Sequence, residues 1–353
     1  MRTWRESIAC IGGITVLVCG ATWFAKVHET GNRPVSLLPG AGESQDLASP
    51  VAVRRFDWSA DGLTIVSHSQ GGFGPGESLA LHDAMGRSTA MPIDIGGEPD
   101  GDMAQSPDGH RLAIGTYSGK LWWYDLDSLN PILLFDDSRR AVYTSMAISA
   151  DGRFIAAAAG AGRIHLCNPS RGTLSTLSGR RQSSVASLCF SRNGRWLLGA
   201  HMDGSICHWQ LETGTLLREI AGNGLPATAV AFLPGDQRII SAGLDGGVRI
   251  CDLRSGREEW RGEFGKLGIS ALALAPDGKI AAWGGYDHRI VIWDVELKEK
   301  RFEITIPATV VSQLKFSRDG TTLAIAGRER TIRLYDTQTW SEKEGIPVGP
   351  PLH

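Results

Sequence analysis

An excess of charge of either sign is missing from this sequence: 36 basic and 38 acidic side chains leave a formal net charge of -2 over 353 residues. Such a balance provides no long-range field to gather nucleic acid or an acidic substrate, so no nucleic-acid partner is expected. Paired cysteines are missing as well. Cys10, Cys19, Cys167, Cys189, Cys207 and Cys251 form no C-x-x-C pair and no closely spaced disulfide or zinc framework, and they leave the redox compartment unread. Long helical stripes are also absent. The apolar residues come in short runs, and glycine is abundant at 44 residues, which reads as an all-β chain of many strands joined by tight turns.

The signatures of common catalytic sites are lacking too, since neither H-E-x-x-H nor G-x-S-x-G occurs. Gly115-Thr116-Tyr117-Ser118-Gly119-Lys120-Leu121 approaches a phosphate loop but is one residue short, lacks the closing Ser or Thr, and leads into a strand instead of a helix. The glycine-rich stretch Gly71 to Gly76 returns to Leu79-Ala80-Leu81, so it reads as an elongated hairpin loop and not as a dinucleotide fingerprint. His201, Asp203, Cys207 and His208 crowd one hairpin. Successive residues of a strand face opposite sides, so Cys207 and His208 cannot address one ion. The expectation is a chain that is not an enzyme, with no metal and no cofactor.

One long apolar run does occur. Ser7 to Ala25 is 19 residues without a charge, close to the roughly 20 needed to span a hydrocarbon core as a helix. Arg2 and Arg5 precede it and Trp23 and Phe24 close it, as in a signal anchor with a cytoplasmic N-terminus and an exported remainder. The alternatives are a signal peptide cleaved near Val18-Cys19-Gly20, giving a secreted chain, and a buried helix. A lipoprotein reading of Cys19 is opposed by Val18, where a small residue is usual. Residues 1–26 are thus expected to be an N-terminal transmembrane anchor, 27–50 a linker rich in Gly, Pro, Ser and charge, and 51–353 the repeat domain.

That domain carries a strand, turn, strand figure seven times, as in Ser106-Pro107-Asp108-Gly109 and Ser317-Arg318-Asp319-Gly320. The third positions, Asp61, Asp108, Asp151, Asn193, Gly235, Asp277 and Asp319, are spaced by 47, 43, 42, 42, 42 and 42 residues. Each is a type I or I′ turn signal between apolar strands. A second landmark runs in phase: His82-Asp83, Tyr124-Asp125, Cys167-Asn168, Trp209-Gln210, Cys251-Asp252, Trp293-Asp294 and Tyr335-Asp336. Between landmarks the apolar residues alternate, so each unit supplies about four short strands.

A repeat of this length ending in Trp-Asp resembles the WD40 family, over about residues 51 to 348. The resemblance implies an all-β, seven-bladed β-propeller of four-stranded blades that holds partner proteins. It assigns structural roles to Asp83, Asp125, Asp252, Trp293, Asp294 and Asp336, and to the turn aspartates Asp203, Asp245 and Asp287. Elsewhere that turn slot holds Ser118, Ala161 and Glu329, and the Gly-His of the family is missing, so its side-chain network is expected to be incomplete. By position, Ser341 to Val348 is expected to close the last blade as its outer strand; Val35 to Leu38 is the only N-terminal rival.

The resemblance also implies a partner face where the loops between second and third strands gather. The residues before the turn slot, Tyr117, Met202, Leu244, Tyr286 and Arg328, resemble interface hot spots in composition, and Arg54 of an innermost strand joins them. The bland reading of these side chains is a cover for strand ends. The innermost strands should point small groups at the channel, namely Thr144, Ala186, Thr228, Ser270 and Ser312, which opposes the alternative of a propeller enzyme or a sugar or metal binder. The expectation is a monomeric, membrane-tethered, non-catalytic scaffold for protein partners.

The full-length chain is expected to sediment with membranes and resist alkaline carbonate extraction. Val16→Arg is expected to release or misroute it, because a charge at mid-helix costs about 2.5 to 3.5 kcal/mol on insertion scales. Recovery of the unmodified chain in the soluble fraction would defeat the anchor.

Overall fold

The computed structural model describes strands at residues 8–11, 14–19, 22–27, 53–58, 64–69, 79–83 and 88–90, and residues 101–347 except 117, 129, 138–141, 180–181, 265–266, 307–309, 328, 330 and 344. The chain divides into two compact units, Met1–Ser49 and Pro50–His353.

The first unit does not show the expected helix. Ile8–Ile11, Ile14–Cys19 and Thr22–Val27 form a three-stranded antiparallel sheet. Ile8, Ile11, Ile14, Thr15, Val16, Val18, Thr22 and Val27 are β-branched, and such side chains favour an extended backbone. Gly12-Gly13 and Gly20 stand between the strands in sequence and weaken a continuous helix further. Among the described residues no helix is long and apolar enough to cross a membrane, which leaves spanning by strands untouched. Residues 28–50, with the expected linker and Val35 to Leu38, lie outside the described residues.

The second unit is a succession of four-stranded antiparallel sheets. Sheet one holds Val53–Trp58, Thr64–Ser69, Leu79–Asp83 and Ser88–Ala90; sheet two Met103–Gln105, Arg111–Gly115, Lys120–Asp125 and Asn130–Asp136. Sheet three holds Ser145–Ile148, Ile155–Ala159, Arg163–Asn168 and Thr173–Ser178; sheet four Val185–Phe190, Trp196–His201, Ile206–Gln210 and Thr215–Ile220. Sheet five holds Ala227–Phe232, Arg238–Gly243, Gly247–Asp252 and Glu258–Glu263; sheet six Ile269–Leu274, Ile280–Gly285, Arg289–Asp294 and Glu299–Thr305. Sheet seven holds Gln313–Phe316, Thr322–Ala326 and Thr331–Asp336, with Ile346–Pro347 from the C-terminal stretch as its outer strand.

Each sheet is apolar on both faces, so each must be covered twice. Seven apolar clusters do this, one for every neighbouring pair. Ala157 and Ile155 of sheet three pack with Leu121 and Trp123 of sheet two, and Phe56, Trp58 and Ile65 of sheet one pack with Ala324, Ala326 and Ile332 of sheet seven. Small residues fill the second strands, as in the fully buried run Ala156-Ala157-Ala158, which lets neighbouring sheets approach closely. First strands pack on first strands throughout, and that of sheet seven returns to that of sheet one.

The recurrent turn has a local cause. Ser106 Oγ donates to Asp108 Oδ1 at 2.5 Å and accepts from the Arg111 N–H at 3.0 Å, while Asp108 accepts from the His110 N–H at 3.1 Å. Ser149 with Asp151 and Ser317 with Asp319 repeat the arrangement. The hydrogen bond from the serine holds the carboxyls of Asp108 and Asp319 below the usual carboxylate range. Gly109 donates back to the Ser106 carbonyl at φ 80°, where a side chain is disfavoured. These turns meet one another. Asp236 accepts from the N–H groups of Arg192 and Asn193, and Arg318 donates to the carbonyls of Pro107 and Ser106, so turns of sheets two, four, five and seven share one end of the unit.

Polar side chains of the innermost strands join sheet to sheet. Thr144 Oγ1 donates to the Val185 carbonyl at 2.7 Å and Thr228 Oγ1 to the Ile269 carbonyl at 2.7 Å; Ser270 makes the same bond to Val311. Three of the hydroxyls expected to line a channel are therefore engaged between sheets, while Ser312 Oγ donates to the Ala326 carbonyl of its own sheet at 3.1 Å. Asp102 binds Arg55 Nε at 2.8 Å and accepts from the Met146 N–H at 2.7 Å, which ties sheets one, two and three together. Gln313 of sheet seven accepts from the Phe56 N–H at 2.9 Å and donates to the Phe56 carbonyl at 3.1 Å, and Lys315 Nζ lies 2.8 Å from Asp57.

Gln313→Ala removes both bonds to Phe56 and leaves two part-buried backbone groups unpaired, at a cost of about 1 to 3 kcal/mol. The thermal midpoint is expected to fall by several degrees, with no change for exposed Gln338→Ala as the control. Equal midpoints would show that the Gln313 bonds add nothing to the hold between sheets one and seven.

Candidate functional site

The end opposite the Ser-x-Asp-Gly turns carries the loops between second and third strands. Three of these loops are fixed by one recurring bond: the N–H of Met202 to the Ser184 carbonyl at 2.9 Å, of Leu244 to Pro226 at 2.9 Å, and of Tyr286 to Gly268 at 3.4 Å. Donors and acceptors both step by 42 residues, so the loops hold equivalent places on the connections that enter their sheets. Met202, Leu244 and Tyr286 are half-buried, each offering part of its side chain. Their exposure is smaller than a fully presented hot spot would have. Tyr117, Arg328 and the side chain of Arg54 lie outside the described residues.

The turn acids shape these loops. Asp203 accepts from the Ser205 N–H at 3.0 Å and from its hydroxyl at 2.6 Å. Asp245 accepts from the Gly247 N–H at 3.0 Å and from Asn223 Nδ2 at 2.7 Å, and pairs with Arg249. Burial pushes the Asp245 carboxyl up, but the Arg249 guanidinium and the N–H donors hold it below the usual range. Asp287 binds Arg289 Nη2 at 2.9 Å. One loop position needs a left-handed backbone: at Gly204, φ 83°, an added Cβ would sit 2.4 Å from the Leu225 carbonyl oxygen. His288 adopts the same conformation in sheet six at φ 60°.

An element invisible to motif reading emerges on the third strands. Arg249 joins turn acid Asp245 to outer-strand Glu258 at 3.4 Å, and Arg333 joins Glu329 at 3.0 Å to Glu342 at 2.9 Å. Each member of the second trio lies 84 residues after its counterpart, so the repeat spacing itself was the available signal. In sheet six Arg289 spans Asp287 and Glu303 from a different position. Glu329 thus takes over from aspartate in the turn slot, with its longer arm reaching an arginine on its own hairpin.

The dipeptide residues cap the opposite end. Asp125, Asp252, Asp294 and Asp336 each accept from N–H groups two or three residues on, as from Ser128 at 2.8 Å, Ser255 at 2.6 Å, Leu297 at 2.8 Å and Thr339 at 2.9 Å, closing the turn into the outer strand. Asn168 does the same for Arg171 at 3.1 Å. Trp293 is buried in an aromatic group with Trp260, Phe264 and Trp283. The side chain of Asp83 lies outside the described residues.

The histidines of the crowded hairpin part company as strand alternation requires. His201 Nδ1 donates to the Ser183 carbonyl at 2.9 Å, whereas His208 lies edge-on between Trp196 and Phe232. Among the described residues no group of three or more His, Cys, Asp or Glu is placed to hold a metal ion. His82 is fully buried, 2.6 Å from Ser67 Oγ, and Tyr143 Oη meets His165 Nδ1 at 3.0 Å. Burial also pushes the Cys167 thiol up to about 12 and that of Cys251 up to about 11, which keeps both protonated and weakly nucleophilic.

The family model described as WD domain, G-beta repeat matches residues 171–210, 214–252, 259–294 and 302–336. Each match begins inside the outer strand of one sheet or within two residues before it, and ends on the second residue of the dipeptide in the next. No curated protein matches the chain.

Burial lowers His82 and His208 from 6.5 to about 4. Their folded values lie below the unfolded one, so their contribution is complete above about pH 6.5 and is lost as pH falls toward 4, up to about 3 kcal/mol each. The thermal midpoint is expected to drop through that window and to drop less in His82→Gln with His208→Gln. A wild-type midpoint that is level from pH 7 to 4.5 would refute neutral burial.

Proposed function

On a chain that carries WD40 repeats, we propose that the second unit is a closed seven-bladed propeller acting as a non-catalytic platform for protein partners. Repeats of this family support an interaction scaffold in general. The observation that carries the reading here is the set of loops at Met202, Leu244 and Tyr286, anchored by equivalent backbone bonds. Loops held in this way present an apolar and aromatic surface with little conformational entropy to lose on binding. Closure of the ring is supported by the cluster and hydrogen bonds that join sheets seven and one. Engagement of the Thr144, Thr228 and Ser270 hydroxyls between sheets leaves the channel reading without chemistry to favour it.

The apolar stretch of the first unit is proposed to attach the chain to a membrane, with the second unit on the exported side. Its 19 uncharged residues supply the length. An open three-stranded sheet has two edges whose backbone groups hydrocarbon cannot satisfy, so insertion requires the same residues to form a helix.

Tyr117→Ala with Tyr286→Ala is expected to lower partner capture from detergent-solubilised membranes at least about tenfold, since a hot-spot truncation costs about 2 kcal/mol or more. Arg328→Ala should add to the loss. The thermal midpoint should move by only a few degrees, because Tyr286 is half-buried. Normal folding with unchanged capture would move the interface off these loops.

A further inference from the structure

Among the described residues the outermost strand of each sheet in the second unit has one hydrogen-bonded neighbour, so no described strand pairs the N–H and C=O groups of its other side. Natural sheets blunt such edges by keeping them short or charged. Sheets one and seven are short there, with Ser88–Ala90 at three residues and Ile346–Pro347 at two. Sheets four, five and six are charged: Thr215–Ile220 carries Arg218 and Glu219, and Glu258–Glu263 and Glu299–Thr305 carry four charged residues each. Sheet three offers a hydroxyl-rich edge, Thr173–Ser178.

The outer strand of sheet two is neither short nor charged along its centre. Asn130–Asp136 runs for seven residues with its single charge at the last one. Ile132 is 55% and Leu133 43% exposed, while Leu134 and Phe135 pack against the core beneath. Pro131 removes one donor near the start of the strand and leaves the centre whole. The register shift beside this strand does not set it apart, because the third and fourth strands of sheets four, five and six have one too.

We propose that this edge joins two copies of the chain, by antiparallel pairing of Asn130–Asp136 with its twin about a two-fold axis at Leu133. The ends of the strand, an amide at Asn130 and a carboxylate at Asp136, complement each other when a second copy pairs in this direction. Antiparallel pairing sets Asn130 of each copy opposite Asp136 of the other, so each carboxylate meets an amide donor; Ile132 then meets Leu134, and Leu133 meets its twin. Parallel pairing in register would set carboxylate against carboxylate, which is destabilising. The same patch serves both copies, as a two-fold interface requires. This contact lies outside the loop face proposed for partners and replaces the monomer expected from the sequence.

Sedimentation equilibrium of the full-length chain in a mild nonionic detergent tests the proposal. The expected result is a dimer whose dissociation constant rises at least about tenfold in Ile132→Lys with Leu133→Lys, and stays unchanged in Leu297→Lys, a control at a residue 65% exposed. Mild oxidation of Leu133→Cys should give a disulfide-linked dimer well above wild type and above Ser175→Cys. A wild-type chain that is monomeric at micromolar concentration overturns the proposal and leaves the edge to a strand from another protein. A dimer indifferent to both lysines also overturns it and moves the contact to another surface. Partner capture through the Tyr286 loop is read separately, so failure of one proposal does not imply failure of the other.

Discussion

Neither face of any sheet in the second unit can be left to water. A single sheet of this composition would expose apolar surface on both sides, and only a neighbour on each side removes it. The clusters between successive sheets, and the one between the seventh and the first, are the outcome of that constraint. Everything polar is arranged around it: hydroxyls clip adjacent sheets at their inner strands, carboxylates cap the turns, and arginines bridge turn to outer strand. The loops proposed for partners can be rigid because the layers beneath them are already fixed.

The repeat unit of the sequence and the sheet are out of phase by one strand. Each family match takes the outer strand of one sheet and the first three strands of the next. Neighbouring sheets are therefore linked covalently at every step except between the seventh and the first. There the link is non-covalent, and it is where Gln313 grips both backbone groups of Phe56. Ala186 is a second departure. Sheet four lacks the hydroxyl that sheets three, five and six use, and Asp236 instead ties the turns of sheets four and five.

The strand plan was legible because turn chemistry and burial repeat at a fixed interval. Ser106, Ser149 and Ser317 recur with Asp108, Asp151 and Asp319 since every first hairpin faces the same local problem of unsatisfied N–H groups. The dipeptide aspartates were legible for the same reason. What occurs once was not: Arg55 with Asp102, and Gln313 with Phe56, break the period and show no local signature. The Asp245, Arg249 and Glu258 trio was hidden because its acid changes to Glu329 in the second instance. The N-terminal stretch reads as helix by its length and lack of charge and as strand by its β-branched content, and the structure gives strands to the same residues. Of the face residues singled out, Met202, Leu244 and Tyr286 make equivalent backbone bonds in successive sheets, while their half-burial is something no periodicity reports.

The two-residue strand Ile346–Pro347 and the Tyr335 to Glu342 bridge hold the C-terminal stretch to the last sheet, helped by Arg333 on Glu342 and by Lys343 on Asp336 and Thr322. The strand that starts the second unit, Val53–Trp58, belongs to the sheet next to it. Both ends of the unit therefore leave from one seam. Tension between a tether before Val53 and a load on the C-terminus would fall first on that seam, peeling a short strand and two side-chain grips, while the covalently linked sheets elsewhere stayed slack. Mechanically, the unit is a clasp with a single opening, and its two cords are tied at the clasp.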